Sequence, residues 1–203
     1  MKRRDFLKKA GIGSAALASI PTLASTLATP AWAHLPGSRP FFFVAFSAAG
    51  TVGGVEHRIA ISGGGRFILR SGIVSGIGNG TWVHFDNAPS PPKPVLGAGT
   101  WNALRFSNYK GGFGKWGIVD AGLFDMRVEL TVLQSSLGLP LGTVLPAKLH
   151  YVCNIGTAGI TTGEPEGYSL EIPGTSFATG GEVGPFKQLV PPVGVTNISI
   201  PQD

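Results

Sequence analysis

The stretch Asp125-Met126-Arg127-Val128-Glu129-Leu130-Thr131-Val132-Leu133 decides the class of fold. Polar residues stand at 125, 127, 129 and 131, and apolar ones at 126, 128, 130 and 132. A period of two is that of a β-strand with one face in a core and the other toward solvent. Downstream, Pro146 to Asn154 alternates in the same way. Leu149, Tyr151 and Cys153 share one face there, while Lys148, His150 and Asn154 point outward.

Working outward from this pair, short strand-like segments recur. Phe41 to Phe46 is apolar and aromatic, and glycines and prolines bound it closely. Val55 to Ser62 and Arg66 to Arg70 read as two strands joined by a Gly63-Gly64-Gly65 turn. Thr81 to Asn87 reads as another, with Val83 and Phe85 on its apolar face and Trp82, His84 and Asp86 opposite. A loop rich in proline spans Asn87 to Gly99, and Gly99 to Tyr109 is again strand-like. The run Lys110 to Lys115 forms a turn. Gly167 to Ile172, Gly181 to Val190 and Gly194 to Ile200 complete the set. Residues 34–40 read as an irregular arm broken by Pro36 and Pro40, and Gln134 to Leu141 could hold one helical turn. Past the N-terminal region, no window shows sustained 3.6-residue periodicity, and no repeat occurs at fixed spacing. The expectation is an all-β fold, a single β-sandwich or barrel with turns rich in Gly and Pro.

Composition agrees. The 203 residues include 31 Gly and 16 Pro, with 43% apolar and only 13% charged residues. So little charge with so much apolar content excludes a disordered chain, and the glycines lack the three-residue period of collagen. A single cysteine, Cys153, excludes a disulfide-held framework within the chain, as well as thiolate zinc and iron–sulfur sites. On an apolar strand face, it reads as a small buried hydrophobe.

The first 33 residues differ from the rest. They begin Met-Lys-Arg-Arg-Asp-Phe-Leu-Lys-Lys, continue as a mildly apolar stretch from Ala10 to Pro30, and end Ala31-Trp32-Ala33. A basic start, an apolar middle and a small-x-small end make a secretory signal. Arg3-Arg4-Asp5-Phe6-Leu7-Lys8 resembles the twin-arginine (Tat) consensus, and the weak hydrophobicity of Gly11 to Leu27, broken by Pro21, fits that route. The resemblance implies export by the Tat translocase, cleavage after Ala33, and a periplasmic or extracellular domain over residues 34–203. It also implies a protein that travels folded, alone or with a co-exported subunit. Five of the 16 basic and one of the 11 acidic residues lie in the signal. The remainder is therefore nearly neutral and has no basic stripe for nucleic acid. It also has no apolar run long enough to span a membrane as a helix.

Candidate sites follow from the chemistry of the side chains. Trp82, His84 and Asp86 share a strand face, and an indole beside an imidazole and a carboxylate suits a small ligand. Trp101 and Arg105 extend that ligand-binding set. Cleavage after Ala33 would expose His34, whose amine and ring nitrogen could hold copper together with His57, His84 or His150. The glycine runs match neither nucleotide-binding pattern, no Gly-x-Ser-x-Gly occurs, and Glu164 and Glu166 read as a solvated loop. The leading expectation is an exported, non-catalytic binding or accessory module, self-associating or partnered with another subunit. A copper protein is one alternative. Another is a small isomerase or cyclase with Trp82, His84, Asp86 and Arg105 lining a barrel pocket.

Overall fold

A computed structural model describes residues 37–52, 55–70, 73–86, 94–175, 187–188 and 194–199. The signal-like region and His34 lie outside them. Strands follow in the order β1 (Ser38–Val52), β2 (Val55–Arg70), β3 (Ile73–Asp86), β4 (Val95–Lys110), β5 (Lys115–Trp116) and β6 (Val119–Asp120). Then come β7 (Gly122–Ser135), β8 (Val144–Cys153), β9 (Gly167–Glu171), β10 (Lys187–Gln188) and β11 (Gly194–Ile198). The only helical element among the described residues is a 3-10 turn at Gly156–Ala158.

Hydrogen bonding orders the strands β10-β1-β2-β3-β4-β7-β8-β9, every pair antiparallel. β11 pairs with Phe41 to Ala45 of β1, on the edge that β10 occupies further along. The sheet curls into a nearly closed eight-stranded barrel, so the all-β expectation holds and the barrel form of it is the one adopted. The β5–β6 hairpin forms its own two-stranded sheet, tied to the barrel by a bridge from Val119 to Ser199 and by the Arg39–Asp120 ion pair.

Alternation explains the core. Met126, Val128, Leu130 and Val132 of β7 and Leu149, Tyr151 and Cys153 of β8 all point inward and are buried. They meet Phe41 and Phe43 of β1, Phe67 of β2, Phe106 of β4 and Tyr168 of β9. The middle of the barrel is thus packed with rings. Phe43 stacks on Trp101 with centroids 5.4 Å apart, and Phe124 stacks on Tyr151 at 4.7 Å. Two tyrosines tie the seam. The Tyr151 hydroxyl lies 3.0 Å from the carbonyl of Phe42 and 2.7 Å from that of Asn197, sharing one proton between them, and Tyr168 reaches across from β9 to the carbonyl of Ile59 on β2.

Several local expectations are corrected. Gly63, Gly64 and Gly65 are not a turn but the middle of β2, paired with Gly80, Asn79 and Gly78 of β3. They are glycines because of space: a Cβ on Gly63 would come within 2.8 Å of the Trp101 ring. β1 starts at Ser38 and runs through Pro40, whose carbonyl accepts from the amide of Ser199. Proline removes a donor but not an acceptor, so the strand survives it. Gln134 and Ser135 still belong to β7, and the chain then bends at 136–138 and turns at 141–142 with no helical turn. The Gly111 to Gly114 run does lie in a connection, between β4 and β5.

Candidate functional site

Where one end of the barrel opens, β2, β3, β4, β7, β8 and the segment after β9 surround a pocket of about 260 Å³. Ile59, Leu130, Val132 and Ile172 form its deep wall, and each is buried. Leu96 and Leu145 flank it, and Leu137 and Leu139 form an exposed lip from the connection after β7. No charged residue occurs between Glu129 and Lys148, which explains why this side of the opening is apolar. The polar contributors are His84, Gln134, Ser135 and Thr175.

Trp82 and His84 come from β3, and both face inward. This reverses the expected facing of that strand: Val83 and Phe85 are the half-buried outer residues. Trp82 lies flat across the neighbouring strand because its partner there is Gly99. A Cβ on Gly99 would stand 2.9 Å from the indole nitrogen, and one on Gly97 would stand 3.4 Å from the ring. The indole N–H donates to the carbonyl of Thr100 at 3.0 Å.

His84 is 8% exposed. Its Nε2 lies 3.1 Å from Nδ1 of His57, which stands on β2 two residues before Ile59, the register partner of His84. Burial drives its pKa down to about 4; the neighbouring His57 adds to the shift and Asp86 opposes it. The imidazole is therefore neutral near pH 7. Asp86 is half-buried at the same end of β3, opposite His57 in register, and its Oδ1 has no hydrogen-bond partner. It does not line the pocket.

The remaining expected ligand-binding residues are elsewhere. Trp101 is fully enclosed in the mid-barrel core, with its N–H donating to the carbonyl of Ser62 at 3.0 Å. Arg105 is on the exposed outer face, paired in register with Arg127. Simple alternation from Trp101 would turn Arg105 inward. A bulge between Ala103 and Arg105 shifts the phase by one residue, so that Phe106 takes the inward position instead. Trp82, His84, Asp86 and Arg105 thus do not converge on one pocket.

The four histidines are only partly brought together. His57 and His84 are in contact, while His150 projects from the outside of β8. There its Nδ1 lies 2.6 Å from Asp125 and its Nε2 2.8 Å from Glu164. Among the described residues, no three His, Cys, Asp or Glu side chains are placed to share a metal ion. Cys153 is buried as expected, with its thiol donating to the carbonyl of Thr196. Burial, followed by the Glu166 charge, pushes its pKa up to about 12.

The residues that alternation did not flag as a site are the apolar ones: Leu96, Leu130, Val132, Leu145 and Ile172. Leu130, Val132 and Leu145 have the inward phase of β7 and β8, Leu96 sits at the β3–β4 register shift beside the inward Gly97, and Ile172 follows β9; that they share one end of the barrel is visible only once the register is known. Comparison with protein-family models, with curated proteins and with solved structures found no match for this chain.

Proposed function

We propose that the protein is an exported, non-catalytic binding module that holds a small apolar ligand at the open end of its barrel. The observation that carries this is the pocket of about 260 Å³, walled by side chains of six parts of the chain and free of ionisable groups other than His84. Largely apolar concavities with few polar groups are the usual form of small-molecule sites. Export rests on the resemblance of Arg3 to Lys8 to a Tat signal, with the translocase as the transient partner. The exposed leucines of the lip favour a further partner, a second copy or a co-exported subunit, on the mature protein.

An acid–base isomerase is the weaker reading. A base with a pKa near 4 is poorly matched to proton abstraction near pH 7, and the middle of the barrel is filled by side chains. The test is fluorescence titration of the purified protein with N-phenyl-1-naphthylamine, a neutral probe that brightens in apolar surroundings. Saturable enhancement is expected from the parent protein and loss of it from Leu145→Phe, which fills the pocket. A parent protein that gives no enhancement contradicts the proposal.

A further inference from the structure

We infer that this pocket selects uncharged, rigid, hydrocarbon-rich molecules of roughly ten carbons and rejects the same skeleton bearing a carboxylate or an ammonium group. The inference rests on the binding reading above and narrows it to a ligand class.

Size comes first. A dry apolar cavity of about 150 Å³ accommodates benzene. The present pocket, about 260 Å³ and open on one side, has room for a bicyclic or branched skeleton, and its apolar wall does not suit a sugar polymer. The flat face of Trp82 on one wall favours a ring, and a rigid ligand loses less rotational freedom on binding than a flexible one.

Charge comes second. No Asp, Glu, Lys or Arg lines the pocket, so an ion inside it would have no counter-charge. The polar groups present are committed to the chain itself. The Trp82 N–H donates to Thr100, and the Thr175 hydroxyl donates to the carbonyl of Ile172. Ser135 accepts from the amides of Leu137 and Leu139, and His84 faces His57. Gln134 stands at the exposed rim, where a hydroxyl or carbonyl of the ligand could meet it. Burial keeps the His84 imidazole neutral near pH 7, so it supplies no positive charge to a carboxylate.

The test uses one skeleton with three headgroups. Isothermal titration near neutral pH would compare 2-naphthol, 2-naphthoate and 2-naphthylmethylammonium on the parent protein, Leu145→Phe and Leu139→Trp. The naphthol is expected to bind at a single site that both variants weaken, and each ion to bind at least about tenfold more weakly. Either ion binding as tightly as the naphthol overturns the charge selection and leaves the pocket reading standing. Failure of all three, with N-phenyl-1-naphthylamine still bound, overturns the size assignment. Failure of that probe as well overturns both readings.

Discussion

The indole of Trp101 occupies the space that a side chain on Gly80, its partner across β3 and β4, would need. A Cβ on Gly80 would stand 2.5 Å from Nε1 of Trp101 and 2.0 Å from the carbonyl oxygen of Ser62. That same carbonyl accepts the indole N–H. Neither backbone nor a fully enclosed ring can retreat cheaply. Gly80→Ala should therefore lower unfolding stability by about 2–4 kcal/mol, as overpacking and a disturbed buried hydrogen bond combine. Gly156→Ala is the control, since nothing lies within 4 Å of a Cβ there, and it should be neutral within about 0.5 kcal/mol. Urea denaturation of both variants checks the pair; equal midpoints would contradict the space-filling role of the glycine.

The glycines also show where sequence reading stops. Alternation over Asp125 to Leu133 and over Leu149 to Cys153 correctly placed the inward faces of β7 and β8, because a polar residue separates successive core residues there. Alternation is local, however, and a sandwich and a barrel share it. Gly63 to Gly65 read as a turn because a glycine without a side chain signals freedom as readily as crowding. Only the neighbouring strands, and for Gly63 the distant Trp101, distinguish the two. Arg105 was misplaced by a bulge that no residue type marks. Trp82 and His84 face the barrel interior, opposite to the facing that alternation suggests, since Val83 and Phe85 are at least as apolar. The rest of the pocket was invisible because its walls come from strands far apart in the chain.

Tyr168 should act as a clasp across the seam of the barrel. Its hydroxyl donates to the carbonyl of Ile59 at 2.6 Å, linking β9 to β2 without a strand ladder between them. Complete burial raises its pKa well above the ordinary tyrosine value, so the hydroxyl keeps the proton it donates. Tyr168→Phe removes the donor and leaves the ring in place. The expected cost is about 1–2 kcal/mol in urea unfolding, together with faster amide exchange along β9. Unchanged stability and exchange would mean that the packed rings alone hold the seam.

Cys153 should be inert in the folded protein. The thiol is buried in the core, and its pKa of about 12 leaves almost no thiolate at pH 8. Because the chain has one cysteine, a thiol reagent such as 5,5′-dithiobis(2-nitrobenzoate) reports on it alone. No absorbance change is expected from native protein over minutes, and one equivalent should be released promptly in denaturant. Fast native labelling would show that the core beside Thr196 opens readily.

The lip of the pocket separates binding from association. Leu141 is 71% exposed and does not line the cavity, whereas Leu137 and Leu139 do. Leu141→Ser should leave stability within about 0.5 kcal/mol of the parent and leave N-phenyl-1-naphthylamine binding unchanged. If a partner or second copy covers the lip, the same change should lower apparent mass at high concentration in sedimentation. Loss of probe binding would instead place Leu141 in the site.

His84 gives the domain a pH dependence whose direction can be worked out. Its folded pKa of about 4 lies below the ordinary value of 6.5, so between these two values the unfolded chain binds more protons than the folded one. Stability must then rise with pH across that window. The stabilisation is complete above about pH 6.5, falls as the pH is lowered, and is gone below about pH 4, amounting to roughly 3 kcal/mol in all. The facing groups are His57, which pushes the value down, and Asp86, which pulls it up. Urea midpoints measured from pH 7 to pH 4 on the parent and on His84→Gln isolate the contribution, since the carboxylates that also titrate there are common to both. The parent should lose more stability than the variant over this range. Parallel curves would mean that water reaches the imidazole at the pocket floor and lets it ionise at its ordinary pKa.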